Sequence, residues 1–342
     1  MTVFEEDIRI VAQSQQIDWE EFNNCSVLIT GSTGLIGKIL VEAFLYRNKH
    51  LNSNVKLILP VRDVKKAEKT FSCLNDQMTI FAADITQMAE LDIKADYVIH
   101  SASPTQSSFF MENPVETIDA IVLGTKSVLE YVKNNNCKGA VYLSSMETFG
   151  QTTKSVLSEE DIGNLSLTSV RSAYPESKRL SELLCHAYFK EYDLPIKIAR
   201  LSQVFGPGVS PTDNRVFMQF CNAIKTGDDI ILKTKGDGVI NFCYTTDAVL
   251  GILKILQRGN CGEAYTIVNN DEYFSLRDIA DWLLSTYGNK SQKVCIDVSG
   301  ASKYAVTNYS KISNDKALEI GWNPKFSVKQ GYERLLKSMG II

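Results

Sequence analysis

The chain alternates short apolar runs with segments whose apolar residues recur every three to four positions. The first apolar run, Cys25–Thr30, ends in a cluster of glycines, and a helically patterned segment follows it. The apolar positions of that segment are Leu35, Ile36, Ile39, Leu40, Ala43 and Phe44. This pattern predicts a buried strand followed by a helix.

The same alternation continues through the next 150 residues or so. Further strands are predicted at 55–59, 78–85, 95–100, 139–144 and 195–200. Helices are predicted at 64–71, about 114–134 and about 173–191. Strands that alternate with helices form βαβ units, and strands that are apolar without strict alternation are covered on both faces. We therefore predict an α/β fold in which a doubly wound parallel sheet forms a Rossmann domain.

The two ends of the chain differ from this alternating part. Residues 1–24 are polar and acidic, with a short helix expected at 17–22, and we interpret them as an N-terminal extension. After about residue 205, loops rich in Gly, Pro and Asp separate shorter patterned runs. We predict a Rossmann domain of 25–205 plus about 238–270, and a smaller mixed substrate-binding cap formed by 206–237 and 271–342.

Charge and cysteine spacing limit the classes of function. The 36 Lys and Arg and the 40 Asp and Glu give a net charge of −4, which argues against a DNA-coating protein. No stretch approaches about 18 consecutive apolar residues, and the acidic N-terminus lacks the order of a secretory signal. The eight cysteines are far apart, and the three histidines show no metal-ligand spacing. We expect a cytoplasmic protein with reduced thiols, no metal, no membrane contact and no nucleic-acid partner.

A glycine-rich loop (GSTGLIG) joins the first predicted strand to the first predicted helix. Glycines allow a tight turn and let the backbone approach a pyrophosphate, and the helix N-terminus supplies free N–H groups. This strand–loop–helix context predicts dinucleotide binding. The residues of the loop predicted to bind the cofactor are Gly31, Thr33, Gly34, Leu35, Ile36 and Gly37.

The end of the second strand distinguishes NAD from NADP. An acidic side chain there holds the ribose 2′-hydroxyl of NAD, whereas Arg suits the 2′-phosphate of NADP. Arg62 and Asp63 compete for this role, and Arg62 comes first. The cofactor is therefore predicted to be NAD or NADP, with a preference for NADP.

A tyrosine and a lysine share one face of a predicted helix. Tyr174 and Lys178 lie four residues apart, after a strand that ends in Ser144–Glu147. A phenol with a pKa of about 10 is a poor acid–base catalyst at neutral pH, and a neighbouring ammonium is expected to lower that pKa. The pair therefore predicts a proton-transfer site next to the dinucleotide.

Together these motifs resemble those of the extended short-chain dehydrogenases/reductases in the NAD-dependent epimerase/dehydratase family. This branch includes nucleotide-sugar epimerases, 4,6-dehydratases and UDP-glucuronate decarboxylases, and the resemblance covers about residues 25–338. The segment Arg171–Arg179 (RSAYPESKR) is similar to the decarboxylase sequence around the catalytic tyrosine. The other matching motifs are Asp84, His100–Ser103, Leu123–Thr125, Arg200–Pro207 and Gly321–Pro324.

The resemblance implies roles for the polar side chains. Tyr174 would exchange a proton with a sugar hydroxyl, Lys178 would bind the nicotinamide ribose, and Ser145 would hydrogen-bond the reacting oxygen. Glu147 would act on a keto sugar by removing an α-proton or assisting loss of a neighbouring group, or alternatively it caps the following turn. Further cofactor contacts implied by the resemblance are Asp84, Ile85, Ser101, Ala102 and Ser103.

Four positions depart from the family pattern. Met146 stands where dehydratases carry Asp, so typical 4,6-dehydratase chemistry is not expected. Gln203 and Gln219 stand where relatives carry Asn that holds the substrate. Ile240 stands where the family carries an Arg that reaches the substrate diphosphate. Candidate replacements for that cation are Arg215, Lys233 and Lys235.

Three functions are compatible with these observations. The first is an NAD(P)-dependent enzyme that modifies a nucleotide-activated sugar through a transient keto sugar, by epimerase- or decarboxylase-type chemistry. The second is an NADPH-dependent reductase of a ketose or keto-sugar phosphate, favoured by Arg62 and the missing arginine. The third is a non-catalytic dinucleotide-sensing regulator, which would be expected to lack Tyr174 or Lys178.

The partner is accordingly a sugar nucleotide or a sugar phosphate. Residues predicted to contact it are Ser103, Ser145, Gln203, Arg215 and Gln219. The resemblance also implies a homodimer built from the helices at about 114–134 and 174–191.

Overall fold

The computed structural model describes residues 1–71, 76–270, 273–299 and 309–342. Its strands are β1 (Ser26–Thr30), β2 (Lys56–Val61), β3 (Met78–Ala82), β4 (Tyr97–His100), β5 (Gly139–Ser145), β6 (Val156–Leu157), β7 (Ile196–Leu201), β8 (Gln203–Phe205), β9 (Ile230–Leu232), β10 (Phe242–Tyr244), β11 (Ala264–Ile267), β12 (Val294–Ile296) and β13 (Lys311–Ile312). Its helices are α1 (Val3–Ala12), α2 (Leu35–Leu51), α3 (Val64–Thr70), α4 (Ser107–Glu112), α5 (Pro114–Asn134), α6 (Ala173–Tyr192), α7 (Val216–Thr226), α8 (Thr245–Arg258), α9 (Leu276–Tyr287), α10 (Asp315–Glu319) and α11 (Val328–Ser338).

Seven strands form one parallel sheet in the order β3-β2-β1-β4-β5-β7-β11. The chain builds β1, β2 and β3 toward one edge and then returns to place β4 beside β1. The strand order reverses between β1 and β4, and ligands bind outside the carboxyl ends of strands at such a point. The predicted doubly wound α/β fold is confirmed.

Helices cover both faces of this sheet, which explains why its strands are apolar without alternation. On one face, Val128 and Val132 of α5 and Cys185 of α6 join a buried cluster with Leu28 and Ile198 of the sheet. On the other face, residues of α2 and α8 pack against the opposite sides of the same strands. The sheet is therefore held between two apolar layers, and only its carboxyl edge is left to form a cleft.

A second apolar cluster lies outside the two layers of the sheet. It is formed by α7, α9 and α11 together with β9, and it encloses Phe205 and Tyr332. Two-stranded parallel pairs connect distant segments here, namely β8 with β10, β9 with β12 and β6 with β13. The segment predicted to return to the Rossmann domain supplies α8 and β11, and β11 pairs with β7. The predicted cap includes 271–272 and 300–308, which lie outside the described residues.

The N-terminal segment differs from its prediction as a polar extension with one short helix. A 3₁₀ helix does occupy Trp19–Phe22, but α1 precedes it and was not predicted. Ile8, Val11 and Ala12 of α1 are buried, and so is the charged Asp7. A carboxylate on the buried face breaks the apolar pattern by which a helix is recognised in sequence.

Three further observations bear on the functional classes. In the described part of the chain, no helix combines the length and apolarity needed to cross a membrane. The described residues contain no group of three or more His, Cys, Asp or Glu that could hold a metal ion. The seven described cysteines are unpaired, and Cys73 lies outside the described residues.

Candidate active site

The glycine loop between β1 and α2 is packed too closely for side chains. Gly31 has φ of +67°, and a Cβ on it would lie 2.8 Å from the backbone nitrogen of Ala102. A Cβ on Gly37 would lie 2.4 Å from the carbonyl oxygen of Gly31. Gly34 precedes the first turn of α2 and supplies no side-chain cap, which leaves the first N–H groups of the helix available to an anion.

A buried hydrogen-bond chain joins the carboxyl ends of β1 and β4. Thr30 Oγ1 accepts from the backbone N–H groups of Ser101 and Ala102, each at 3.1 Å. Thr30 Oγ1 also lies 2.9 Å from Nδ1 of His100, whose Nε2 lies 3.2 Å from Thr125 Oγ1. Burial lowers the pKa of His100 to about 3, so the ring is neutral at pH 7. The chain fixes the two strand ends that border the glycine loop.

The ends of β2 and β3 place the other predicted cofactor contacts at the same edge. Asp63 Oδ1 accepts from the backbone N–H of Lys66 at 3.0 Å and caps α3, whereas Arg62 is exposed. Asp84 caps a 3₁₀ turn through Thr86 N at 2.8 Å. Because one oxygen of Asp63 is occupied by the cap, Arg62 is the less constrained of the two candidates for contact with a ribose substituent.

Two packing contacts complete this side of the cleft. Ile85 packs against Gly124 of α5, where an added Cβ would lie 3.0 Å from the Ile85 side chain. Ser103 is half-buried at the end of β4 and donates a hydrogen bond to Pro104 O at 3.1 Å. These residues line the crevice where the strand order reverses.

The residues at this edge fit a dinucleotide. The first turn of α2 has no side-chain cap, and Ser32 Oγ is buried with no hydrogen-bond partner among the described residues. The glycine positions keep the surface of the loop free of side chains. Backbone N–H groups at a helix N-terminus suit a pyrophosphate.

Helix α6 places Tyr174 and Lys178 on its buried face next to the end of β5. Lys178 Nζ donates to Leu143 O at 2.7 Å and lies 5.8 Å from the ring centroid of Tyr174. The Tyr174 ring stacks on Phe110 of α4, with centroids 4.3 Å apart and an interplanar angle of 9°. Burial lowers the pKa of Lys178 to about 7, although the Glu182 carboxylate opposes this shift.

The titration of Tyr174 differs from the sequence-based expectation. Burial raises the pKa of Tyr174 well above its usual range, and the Glu147 carboxylate raises it further. A hydrogen bond with Ser145 and the positive charge of Arg171 oppose this rise. The expectation that Lys178 lowers this pKa was wrong for this arrangement, because Lys178 is itself buried and held by Leu143 O.

Glu147 lies beside the tyrosine and pairs with a residue that sequence reasoning missed. Its Oε2 lies 2.7 Å from Arg171 Nη2, and both side chains are largely buried. Burial raises the pKa of Glu147, and Arg171 opposes this shift. The turn after β5 is capped by Ser145 Oγ, which accepts from Glu147 N at 3.2 Å, so Glu147 is not the cap. Arg171 also has two buried nitrogens, Nε and Nη1, with no hydrogen-bond partner among the described residues.

A second buried ion pair, between Glu182 and Arg200, supports the carboxyl end of β5. Glu182 lies one turn of α6 beyond Lys178 and accepts from Arg200 Nη2 at 2.7 Å and from Ser144 Oγ at 2.5 Å. Arg200 Nη1 donates to Glu159 O at 2.7 Å. Tyr174, Lys178 and Glu182 are spaced four residues apart on one face of α6. This spacing was the sequence signal that could have placed Glu182 near the other two.

The predicted substrate residues are less uniformly placed. Gln203 opens β8 and is half-buried, whereas Gln219 is exposed and its amide donates to Asn214 O at 2.5 Å. Arg215 precedes α7 and forms a bidentate pair with Asp213, at 2.7 and 3.1 Å. Burial raises the pKa of Tyr174, and the positive charge of Arg215 opposes this rise slightly.

Ile240 stands at the position where the family pattern predicts an arginine, and its surroundings are apolar as well. Ile240 packs against the cluster formed by α7, α9 and α11. Of the alternative cations, Lys233 pairs with Asp297 at 2.7 Å, and Lys235 is exposed. Met146 is half-buried against Phe149 and its neighbours. Of the three cations, Arg215 is the one whose charge acts on Tyr174.

Comparisons with known proteins agree with this arrangement. Residues 27–269 match the model of a family described as the NAD dependent epimerase/dehydratase family. UDP-glucuronic acid decarboxylase 6 of Arabidopsis thaliana is 25% identical over 319 residues, covering 90% of this chain and 87% of the relative.

Solved structures share the fold. An epimerase structure, Mth375 from Methanothermobacter thermautotrophicus, superposes with a TM-score of 0.81 at 23% identity and covers 96% of both chains. The UDP-glucuronic acid 4-epimerase of Bacillus cereus, in complex with UDP-glucuronic acid and NAD, gives a TM-score of 0.76 at 22% identity. The match covers 92% of this chain and 99% of that one.

Proposed function

Because the chain belongs to the NAD-dependent epimerase/dehydratase family, we propose that it modifies a nucleotide-activated sugar through a transient keto sugar. The observation that carries the proposal is the Glu147–Arg171 ion pair beside Tyr174. A tyrosine, lysine and serine suffice for oxidation and reduction of a hydroxyl, whereas an adjacent carboxylate and guanidinium add chemistry at the neighbouring carbon. The decarboxylases among the similar proteins act on a sugar of this class.

The first half of the chemistry belongs to the tyrosine. The glycine loop and the N-terminus of α2 would hold the dinucleotide, which would supply reversible hydride transfer with a sugar carbon. The Tyr174 phenolate oxygen takes the hydroxyl proton of the same sugar carbon, and Ser145 Oγ hydrogen-bonds the resulting carbonyl oxygen. Lys178 would hold a ribose hydroxyl of the bound dinucleotide, while the Ser145 hydrogen bond and the charges of Arg171 and Arg215 favour the Tyr174 phenolate.

The second half belongs to the ion pair. Arg171 Nη2 pairs with Glu147, while its buried Nε and Nη1 have no hydrogen-bond partner among the described residues, so a sugar carboxylate would accept a charge-assisted hydrogen bond from one of these two nitrogens. A carboxylate one carbon from the new carbonyl is a β-keto acid, which loses carbon dioxide and leaves an enolate. Burial raises the pKa of Glu147, so its carboxylate takes up a proton from water once the substrate carboxylate competes for Arg171, and it then delivers that proton to the enolate. We therefore favour a nucleotide-linked uronic acid as the substrate, and we favour decarboxylation over epimerisation as the reaction.

The proposal also covers the residues that bind the anionic part of the substrate and the choice between NAD and NADP. We propose that Arg215 releases Asp213 and binds the anionic group of the substrate in its place. Ser103, Gln203 and Gln219 are proposed to line the same pocket. NAD is named in the neighbouring structures, whereas exposed Arg62 favours NADP. We propose that 206–237 and 271–342 form the substrate cap.

A net reductase is the second candidate, favoured by exposed Arg62 and by Ile240 at the expected arginine position. One experiment separates the two. The enzyme is incubated with UDP-glucuronic acid and each dinucleotide while product formation is followed by NMR and nicotinamide absorbance is recorded. A recycling enzyme forms product with no lasting change in absorbance, whereas a reductase consumes reduced dinucleotide stoichiometrically with a keto substrate.

Tyr174→Phe provides the control for this assay. The variant keeps the ring and its stacking on Phe110 but cannot move the proton, so turnover is expected to fall about 100- to 10,000-fold. Dinucleotide affinity, measured by calorimetry, should stay within about threefold. Turnover that is unchanged in Tyr174→Phe contradicts the assignment.

A homodimer is proposed from an exposed apolar surface on α5 and α6, which pack side by side. Val115, Ile118, Leu180 and Leu183 are exposed on these helices. A second copy of the same surface would bury them in a four-helix contact. Sedimentation of the protein and of Leu183→Asp tests this, and a monomeric wild type contradicts it.

A further inference from the structure

Helix α1 lies outside the residues that match the family model, and the proposed function assigns it no role. The helix has a full capping box at its start, in which Thr2 Oγ1 and the Glu5 carboxylate each bond the other residue's backbone N–H. It packs against the cofactor-loop helix α2, against α8 and against α11. The helix therefore touches both apolar bodies of the molecule, the sheet layers and the cluster around α11.

A buried ion pair anchors α1 from its inner face. The side chain of Asp7 is 0% exposed, and Arg334 of α11 donates to its Oδ1 at 2.7 and 3.1 Å. Tyr244 Oη donates to Asp7 Oδ2 at 2.6 Å. Both carboxylate oxygens are thus satisfied, as a buried charge requires. The position of α1 is fixed relative to α11 and to the end of β10.

One turn earlier, Phe4 bridges the two sides of the cleft. Lys38 of α2, which follows the glycine loop directly, places its Nζ 4.6 Å from the centroid of the Phe4 ring. On the other side, the ring lies against Gly208, where an added Cβ would be 2.7 Å from Phe4 Cε2. Gly208 has φ of +91°, a conformation that glycine alone adopts without strain. Phe4 is therefore in contact with the cofactor helix and with the loop after β8.

The loop after β8 comprises residues 206–215 and contains both Gly208 and Arg215. Arg215 is held at its end by Asp213, whose Oδ1 also accepts from Arg215 N at 2.9 Å. The charge of Arg215 reaches Tyr174. Arg215 Nη1 also donates to Val204 O of β8 at 3.4 Å, so the loop is held at Gly208 by Phe4 and at Arg215 by Asp213 and Val204.

We propose that α1 is a positioning element of the active site, and that Phe4, by holding the 206–215 loop at Gly208, sets where Arg215 meets an anionic group of the substrate. The inference rests on the proposed function, since Arg215 is useful at this place only for an anionic substrate. Phe4 is a positioning residue, because it contacts the loop and not the reacting atoms. Asp7 serves as its anchor through Arg334.

The test uses Phe4→Ala in the full-length protein, with Phe4→Leu as the conservative variant. Val11→Ala is the matched control, because Val11 is buried in the same cluster that Phe4 packs against, whereas the three atoms nearest to a Cβ on Gly208 all belong to Phe4. Backbone hydrogen exchange of residues 206–215 is measured for each protein by mass spectrometry, at a temperature where all are folded. KM and kcat for UDP-glucuronic acid, and calorimetric dinucleotide affinity, are measured in parallel.

In Phe4→Ala, exchange in the 206–215 loop should accelerate about fivefold or more, and KM should rise about fivefold with kcat changed less than about twofold. Phe4→Leu should recover most of both effects. Val11→Ala should lower the melting temperature but leave loop exchange and KM unchanged. Unchanged loop exchange in Phe4→Ala, or the same acceleration in Val11→Ala, overturns the inference. A wild type that turns over no nucleotide sugar contradicts the proposed function, while loop exchange still decides the role of Phe4.

Discussion

The cofactor side and the substrate side of the cleft are built on different principles. At the ends of β1 and β4, side chains such as Thr30 and His100 bond to one another and hold the backbone still, so the binding groups are the N–H groups of the glycine loop. On the proposed substrate side the candidate binding groups are charged side chains, and Arg215 and Arg171 already hold the carboxylates of Asp213 and Glu147.

This difference has a chemical consequence. A backbone site presents the same donors whatever residues surround it, so its ligand class is stable. A side chain in an ion pair has to exchange one anion for another when substrate binds, and the balance between the two anions sets which substrate is accepted. The neighbours of Arg171 and Arg215 therefore define specificity as much as the arginines do.

The largest expected effect is on the substrate side, in Glu147→Gln. The variant keeps the size of the side chain, but its amide can neither pair with Arg171 as an anion nor take up a proton and deliver it to the keto sugar. Turnover is expected to fall about 100- to 10,000-fold. Rapid-quench measurement of product gives the rate, and calorimetry should find dinucleotide affinity unchanged. Activity within tenfold of wild type would remove Glu147 from the chemistry and break the comparison.

A smaller effect is expected on the cofactor side from a pair of glycine substitutions. Gly37→Ala places a Cβ 2.4 Å from the Gly31 carbonyl oxygen, whereas Gly34→Ala places one at 3.2 Å. The free energy of unfolding should fall by about 1–3 kcal/mol in Gly37→Ala and by less in Gly34→Ala. Denaturant unfolding and dinucleotide calorimetry measure both. Equal losses of stability would mean that the loop is not held by the packing described here.

His100 provides a pH-dependent test of the same rigid edge. Its pKa is about 3 in the folded protein, against about 6.5 in an unfolded chain, so between these values the unfolded chain binds more protons. Stability should therefore fall as pH falls from about 6.5 to about 3, by up to about 1.4 kcal/mol per pH unit. His100→Gln should lose this slope, and exposed His50→Gln should keep it. Urea unfolding at several pH values gives the slopes, and identical slopes in all three proteins contradict the assignment.

The smallest effect concerns the choice of dinucleotide. Arg62→Ala removes the exposed cation at the end of β2 while Asp63 still caps α3. Affinity for NADP should fall about five- to tenfold and affinity for NAD should change little. Calorimetry with both dinucleotides measures this. A loss for NAD alone would assign the ribose contact to another residue.

The cofactor side could largely be predicted because its chemistry depends on local order. The glycine loop, the strand before it and the helix after it are consecutive in sequence, and Tyr174 and Lys178 lie on consecutive turns of one helix. Arg171 lies at the start of the RSAYPESKR segment, but its function could not be predicted. Nothing in the sequence indicates that it meets Glu147, 24 residues earlier. Pairings between distant side chains have no periodicity to reveal them.

The same reasoning explains why α1 was missed. Its buried Asp7 is polar by composition and becomes part of the core only through Arg334 and Tyr244. The burial of Asp7 is a tertiary event, and no local pattern encodes it. Six of the seven strands of the sheet, by contrast, could be predicted because each is an apolar run on its own, whereas β11 was covered only by the prediction that about 238–270 returns to this domain.

The Asp7–Arg334 pair also places a constraint on synthesis of the chain. The two partners are 327 residues apart, so α1 is synthesised well before α11. Until α11 has been made, the Asp7 carboxylate stays in water, because burying it without its guanidinium is strongly unfavourable. The inner face of α1 therefore reaches its final packing only after α11 is in place.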